Sequence, residues 1–297
     1  MRVYLISYAT KEFRKSQEKL VESAIKYGID KKNIRAFNLT DLKSTKFYTK
    51  YSNIFANPRG AGYWLWKPFY IYKTLKDPTI SEGDIIIYCD AGSVFINDPL
   101  PLIKLCNDKE DILLFKTDEL NVKWNKPSCL SKMFKNPLAD KILKAKQLAA
   151  TFQVYKKTSK SLEFVKGWLT YCCKPGLIED YVKENEIGIK DPRFVEHRHD
   201  QAILTNLSIR EGIKPYRDPS QGGNHLKHRR WRKKNEWLQM PYKYVNSWED
   251  YVNSDYPTII NHLRNAGGFR LMLINIHTWM PRWMKRIVDK IFRRKKR

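Results

Sequence analysis

The run Ile85-Ile86-Ile87-Tyr88-Cys89, which empties directly into Asp90-Ala91-Gly92-Ser93, constrains this chain more than any other stretch. A short apolar run bounded by a turn signal reads as a buried strand. In an open α/β sheet, ligands bind in the crevice beyond the carboxyl ends of the strands. A carboxylate at Asp90 therefore reaches that crevice while Ile85 to Ile87 stay in the core, and an anion- or metal-facing site is expected there. Gly92 lets the backbone turn tightly and come close to a ligand. The plainer reading is that Asp90 caps the following turn, a common task for aspartate after a strand, and the residues leave both open.

The rest of the chain supplies neighbours for such a strand. Arg2 to Ala9 reads as a first buried strand, and Lys11 to Tyr27, with Phe13, Leu20, Val21 and Ile25 on a loosely helical spacing, as the helix after it. Asn33 to Leu42 offers a second short strand, Tyr63 to Leu75 a helix stopped by Asp77-Pro78, and Ser81-Glu82-Gly83-Asp84 a turn into the Ile85 strand. Asp111 to Phe115 and Ala149 to Tyr155 are further short apolar runs. Ser159 to Cys173 is a helix with Leu162, Val165, Trp168 and Leu169 along one side. Ala202 to Ile209 is another, opening near His199-Asp200, and Gly222-Gly223 marks a loop. Strands alternating with helices predict an α/β fold with a mainly parallel central sheet.

A chain of 297 residues with 42% hydrophobic content buries a substantial core and is not disordered. Its formal charge of +25 implies a surface attractive to nucleic acid, anionic lipid or phosphorylated ligands, without choosing among them. The five cysteines are odd in number and form no Cys-x-x-Cys pair, which argues against a zinc ribbon and a disulfide framework and fits a reducing compartment. Val3 to Tyr8 is too short for a secretory apolar core, and no stretch reaches the roughly 20 apolar residues of a membrane span. A cytoplasmic protein is expected, with any membrane contact made from the side.

Three segments, taken in order, resemble the nucleotide-sugar glycosyltransferases of the GT-A type, particularly bacterial enzymes that build surface polysaccharides such as lipopolysaccharide and capsule. They are Arg59-Gly60-Ala61-Gly62-Tyr63-Trp64-Leu65-Trp66-Lys67-Pro68, the Asp90-Ala91-Gly92-Ser93 turn, and Glu196-His197-Arg198-His199-Asp200-Gln201. The resemblance runs from Arg2 to Arg264 as an ordered set. It implies a GT-A-like, Rossmann-type catalytic domain over residues 1–268, helices on both sides of the sheet, a separate segment over 269–297, and hexosyltransferase-type chemistry between a nucleotide-diphosphate sugar and a glycan acceptor.

In that family the carboxylates of an Asp-x-Asp turn hold a divalent cation, manganese or magnesium, that binds the donor's diphosphate, because the departing nucleotide accumulates negative charge. Asp90 matches the first carboxylate, but Gly92 stands where the second would be, leaving Ser93 or a water to supply an oxygen. His262, after the apolar Ile259-Ile260, is the candidate for the histidine that completes the metal site in this fold; the plain alternative is a satisfied histidine beneath the C-terminal segment. Arg264 and Lys67 are alternative diphosphate partners. Around Lys67, the glycines Gly60 and Gly62 shape a loop, Arg59 faces ligand, and Trp64 and Trp66 belong to the core. The resemblance turns Asp200 toward the acceptor or the anomeric carbon, as general base if configuration inverts, with Glu196 and Glu119 as competing carboxylates. Its plain role is a helix cap. The expected site is therefore Asp200 and Glu196 for catalysis; Arg59, Lys67, Asp90, Gly92, Ser93 and Arg264 for the donor; and Asp90 with His262 for a metal.

The C-terminal segment places Trp283, Ile287 and Ile291, with Met284 and Val288, along one helical face, and Arg282, Lys285, Arg286 and Lys290 elsewhere, ahead of Arg293-Arg294-Lys295-Lys296-Arg297. That is the pattern of an interfacial helix. It predicts docking on the cytoplasmic leaflet of the plasma membrane beside a lipid-linked acceptor, against the alternative of a solvated basic end packed on the catalytic domain. Two rival functions remain. Arg229-Arg230-Trp231-Arg232-Lys233-Lys234 interleaves charge with a stacking aromatic, as a nucleic-acid binder would, but no nucleic-acid motif accompanies it and no specific nucleic acid is expected. A nucleotidyl- or phosphotransferase would use the same strand-end aspartate.

Overall fold

The computed structural model describes residues 1–183, 191–220, 222–223 and 254–263. Arg264, the basic block around Trp231 and the segment 269–297 lie outside the described residues. In chain order the strands are β1 (Val3–Ala9), β2 (Ile34–Asn38), β3 (Ile85–Cys89), β4 (Ser93–Phe95), β5 (Ile112–Leu113), β6 (Phe115–Leu120), β7 (Lys146–Leu148), β8 (Phe152–Lys156), β9 (Tyr216–Arg217) and β10 (Ile260–His262). The longer helices are α1 (Arg14–Lys26), α2 (Trp66–Leu75), α3 (Leu100–Asp108), α4 (Ser159–Cys172) and α5 (His199–Arg210).

The central sheet has the order β2-β1-β3-β8-β5. β1 pairs in parallel with β2 and with β3, whereas β8 is antiparallel to β3 and to β5, so four of the five strands point one way around an inverted β8. This is the mainly parallel α/β arrangement expected, and the apolar run of β3 is its middle strand. Side chains alternate across a strand, and β3 uses both faces. Ile86 and Tyr88 pack with Trp66, Tyr70, Trp168 and Leu204, which come from α2, α4 and α5. Ile85, Ile87 and Cys89 pack with Leu20, Ala24, Leu102 and Cys106, which come from α1 and α3. Each of the three isoleucines is fully buried, worth about 1.5–3 kcal/mol apiece relative to exposure. Two smaller sheets, β7-β6-β9 and β10-β4, flank this three-layer body. No described helix is long and apolar enough to cross a membrane.

Three local expectations are corrected. The helix after β1 begins at Arg14, behind a 3-10 turn over Lys11–Phe13; its inward residues are Gln17, Leu20 and Ala24, while Phe13 and Ile25 are exposed. The turn changes the helical phase, so the apolar spacing read from Phe13 does not define the buried face. β2 stops at Asn38 because the Asn38 carboxamide oxygen accepts from the backbone N–H groups of Thr40 and Asp41, and the Asp41 carboxylate accepts from that of Asn38. This capping box starts a short helix where the strand was expected to continue to Leu42.

The third correction bears on the site. The helix expected from Tyr63 begins at Trp66. Ahead of it, Gly60, Ala61, Gly62, Tyr63 and Trp64 all have positive φ, between 50° and 93°. An L-residue in this conformation costs roughly 1–2 kcal/mol, and three of the five are not glycine. The turn is held by Tyr63 N–H donating to Arg59 O at 2.7 Å, Gly62 N–H to Asn57 O at 2.9 Å, and the Trp66 indole N–H to Gly60 O at 2.9 Å. Its product is placement: the chain leaves it with Lys67 in the first turn of α2, facing inward.

Gly62 has φ +93°, and a Cβ added there would lie 2.6 Å from the Phe55 ring and 2.9 Å from the Phe55 Cα. Gly62→Ala is expected to lower the unfolding free energy by roughly 2 kcal/mol or more, whereas Gly92→Ala, where an added Cβ meets nothing within 4 Å, leaves it unchanged. Denaturant titration of both variants checks this, and equal midpoints would show that the left-handed turn relaxes freely.

Candidate active site

A cavity of about 630 Å³ opens at the carboxyl ends of β1 and β3, lined among others by Tyr8, Arg59, Trp64, Asp90, Asp200 and His262. That volume lies in the range of roughly 300–1,000 Å³ typical of small-molecule sites. It occupies the crevice where the topology of such a sheet puts ligands. Asp90 leaves β3 at its edge, held by its N–H donating to Thr151 O at 2.9 Å. Asp200 enters from the opposite side, in the first turn of α5. No side chain caps that helix, so capping is not the work Asp200 does.

Between the two carboxylates lies Lys67. Its Nζ is 3.3 Å from Asp90 Oδ1 and 3.3 Å from Asp200 Oδ2, and the side chain is 2% exposed. The ammonium also sits over the rings of Trp66 and Tyr88, at 5.7 and 5.5 Å from their centroids. The Tyr88 hydroxyl donates to the same Asp90 oxygen. The Asp200 contact is an ion pair without hydrogen-bond alignment, since Oδ2 has no hydrogen-bond partner.

These neighbours set the protonation states. Burial pushes the Asp200 carboxyl up to about 6; Lys67 works against that rise and Asp90 adds to it. Burial lowers Lys67, but the carboxylates of Asp200 and Asp90 outweigh it and leave the ammonium above its ordinary value. Burial, then the charge of Asp90, holds Tyr88 well above the phenolic range, so it remains a donor. The result is a carboxylate, an ammonium and a carboxyl poised near neutrality on one cavity floor.

The neighbouring histidines are neutral. His197 is enclosed, with Nδ1 accepting from the Lys126 N–H at 3.3 Å and Nε2 donating to Leu177 O at 2.8 Å, and burial drives its pKa well down. His199, at φ +48°, donates from Nδ1 to Ile178 O at 2.7 Å, stacks on Tyr63 at 4.8 Å, and is lowered by burial to about 4. Two charged groups expected at the site pair with each other instead: Arg59 contacts Glu196 at 3.0 Å and Asp180 at 3.3 Å, and Arg198 contacts Glu196 at 3.2 Å. Arg59 still lines the cavity. Glu119 accepts from the Trp124 indole on an exposed part of β6, away from this floor.

The structure brings together Asp90, Gly92, Ser93, Lys67, Asp200 and His262 around one cavity. Gly92 does not have the left-handed backbone expected of a glycine-dependent turn. Trp66 is core, stacked on Tyr8 at 4.2 Å, while Trp64 is only partly buried and contributes to the cavity wall. Sequence reasoning passed over Tyr88 and Thr151. Tyr88 had a signal, because two residues before Asp90 on a strand is the same face; Thr151 had none, since it arrives through β8.

Among the described residues no group of three or more His, Cys, Asp or Glu converges as a metal site. His262 turns its ring nitrogens to the hydroxyls of Ser93 at 2.8 Å and Thr151 at 3.4 Å, brought there by the β10-β4 pairing that sets His262 opposite Ser93. Asp90 Oδ1 is engaged by Tyr88 and Lys67, which leaves Oδ2 as the carboxylate oxygen outside that network. One carboxylate oxygen with hydroxyls and water nearby fits a hard cation such as magnesium, which binds through one or two carboxylates, keeps several waters and shares the phosphates of its ligand. It does not fit an all-protein cage.

A carboxyl raised when folded binds its proton more tightly in the native state, so its stabilising contribution is complete below about pH 4 and lost as pH climbs through about 6. Asp200→Asn has no such loss. Relative to the wild type, Asp200→Asn should gain on the order of 2 kcal/mol between pH 4 and pH 7.5, read as the difference in unfolding free energy across that interval. A constant difference would place the Asp200 carboxyl in an ordinary environment.

No family model matches the chain, and no curated protein matches its sequence. Solved structures similar to it include glycosyltransferases. Mouse xyloside xylosyltransferase 1 in its apo form aligns over 89% of this chain and 98% of its own, with 9% identity and a TM-score of 0.47. The galactosyltransferase LgtC, in complex with donor and acceptor sugar analogues, aligns over 88% and 87%, with 13% identity and a TM-score of 0.44. The bifunctional glycosyltransferase WbbM in its apo form aligns over 69% of this chain and 37% of its own, with 10% identity and a TM-score of 0.40.

Proposed function

We propose that the protein is a glycosyltransferase of the hexosyltransferase type that moves a sugar from a nucleotide-diphosphate donor to a glycan acceptor. The observation that carries this reading is the facing pair of carboxylates on one cavity floor, Asp90 at the strand end and Asp200 at the helix start, joined by Lys67. Asp90 lies where the resemblance puts the group that meets the donor's diphosphate. Asp200, near neutrality because it is buried, suits a general base, since such a group works best with a pKa close to the working pH. In an inverting transfer it takes the proton of the acceptor hydroxyl as that oxygen bonds to the anomeric carbon and the nucleoside diphosphate departs. A manganese or magnesium ion, when bound with the donor, would be held through Asp90, with His262 and Ser93 beside it, and would supply charge to the departing phosphates.

The acceptor of this reading is a growing surface glycan of a bacterium, lipid-linked and met at the cytoplasmic leaflet, with the basic segment 269–297 as the membrane contact. What supports the membrane part is the coincidence of an apolar face with basic charge in the sequence. The donor's sugar and base belong to the experiment that follows.

A thermal-shift screen against UDP-, GDP-, CMP- and dTDP-linked sugars, each with manganese or chelator, is expected to show stabilisation by one donor class, larger with the metal. Asp90→Ala should abolish donor turnover in a folded protein. Asp200→Asn should reduce kcat by about 10²–10⁴-fold with donor binding retained. Stabilisation by an oligonucleotide and by no nucleotide sugar would replace this reading with nucleic-acid binding. Nucleotide or phosphate appearing on the acceptor would replace it with a nucleotidyl- or phosphotransferase. Sedimentation with anionic liposomes should be lost when the chain is ended after Gly268; equal binding by that shortened chain would remove the membrane role.

A further inference from the structure

Lys67 was expected to meet the donor's diphosphate, but its burial suggests other work. The side chain is fully enclosed, its ammonium lies between Asp90 and Asp200 at 3.3 Å from each, and aromatic rings from Trp66 and Tyr88 border it. The backbone behind it is equally fixed: Lys67 N–H donates to Trp64 O at 2.9 Å, at the exit of the left-handed turn. A side chain so placed touches two carboxylates and has little freedom to turn to a ligand.

We infer that Lys67 is a positioning residue: its ammonium lies between the Asp90 and Asp200 carboxylates, holds them side by side, and favours the ionised form of Asp200 in which it can accept a proton. This rests on the reading of Asp200 as the base. Like charges that share a small site cannot both ionise unless a third group compensates them. Here the facing oxygens lie no further apart than the two ion-pair contacts allow. The groups that face Asp200 from the packed elements are Lys67 of α2, Asp90 after β3, Tyr88 of β3 and Cys172 of α4, with His199 beside it on α5. Burial holds Tyr88 and Cys172 in their neutral forms and His199 uncharged near pH 7. Among the described residues Lys67 is thus the only cation in that set. Removing its charge leaves the buried Asp200 carboxylate facing Asp90 without a compensating cation, which favours the protonated form of Asp200.

The test reads the carboxyl directly, independent of any donor. Protein labelled with ¹³Cγ-aspartate is titrated by NMR as wild type, Lys67→Gln and Lys67→Arg, the Asp200 signal being identified by its loss in Asp200→Asn. Asp200 should titrate near pH 6 in the wild type, at least one pH unit higher in Lys67→Gln, and closer to the wild type in Lys67→Arg, which keeps the charge. With the donor found by the screen, the acid limb of the kcat/KM profile should move in the same direction, costing Lys67→Gln at least about fivefold more activity at pH 6 than at pH 8. If Lys67→Gln is too unstable for NMR, denaturation from pH 5 to 8 replaces it, and its deficit against the wild type should grow as pH rises. Unchanged Asp200 titration, or a deficit equal at every pH, overturns the inference. A shifted titration in a protein that turns over no nucleotide sugar would leave Lys67 in this role and remove the glycosyltransferase reading instead.

Discussion

Two carboxylates that each lie 3.3 Å from one ammonium are at most about 6.6 Å apart, where in a medium of effective dielectric near 20 they repel by at least roughly 2.5 kcal/mol, a sizeable share of the stability of a small domain. Asp90 and Asp200 come from elements far apart in sequence, and the packing of α2, α4 and α5 on β3 forces them onto the same cavity floor. What makes that packing tolerable is the ammonium between them. Burying Lys67 would itself be costly without partners, and burying Asp200 would be costly without Lys67. The three groups form a set in which each supplies the partner the others require, and the surrounding core is arranged to keep it intact.

The left-handed turn at 60–64 belongs to the same arrangement. Local strain persists only where surrounding structure over-determines it, and this turn is fixed from outside by Asn57, Arg59 and the Trp66 indole. His199, also at positive φ, opens α5 one residue before Asp200. Both chain segments that bring a charged group to the cavity floor from the helical side thus arrive through sparsely populated backbone conformations, while Asp90, on the strand side, arrives without one.

What the sequence made legible follows from periodicity and position. An apolar run ending in aspartate announced β3 and Asp90, because that signal is local, whereas the polar cluster ahead of an apolar helix by itself read Asp200 as a cap and only the resemblance turned it toward the cavity it lines. The burial of Lys67 was hidden, since lysine in a first helical turn ordinarily faces solvent and only the through-space pair of carboxylates reverses that. The inverted β8 was equally hidden: hydropathy marks a buried strand but not its direction, which here is set by how the chain returns through β6 and β7 before entering the sheet. Phe13 and Ile25 misled for a related reason, because an apolar residue on the surface is common and a 3-10 turn shifts the phase on which the face was counted.

The chain's large positive charge and the chemistry of its cavity act at different ranges. A formal +25 gives a field that draws anionic ligands from beyond contact, and screening confines that effect to about 8–10 Å at ordinary ionic strength. Among the described residues the cationic side chains lining the cavity are paired: Lys67 with Asp90 and Asp200, Arg59 with Asp180 and Glu196, and Arg198 with Glu196. A phosphate-bearing ligand is therefore attracted by the whole surface but meets, on this floor, side chains whose charge is already committed. With the described residues alone, binding would either reorganise one of these pairs or bring a cation with the ligand. The exposed Arg59 pairs are the ones that can open at small cost, since ion pairs in contact with water contribute only about 0–1 kcal/mol. The enclosed Lys67 pairs are not. The division between a wall that can rearrange and a floor that cannot would let one small site take up a phosphate-bearing ligand and still keep the Asp200 carboxyl in place.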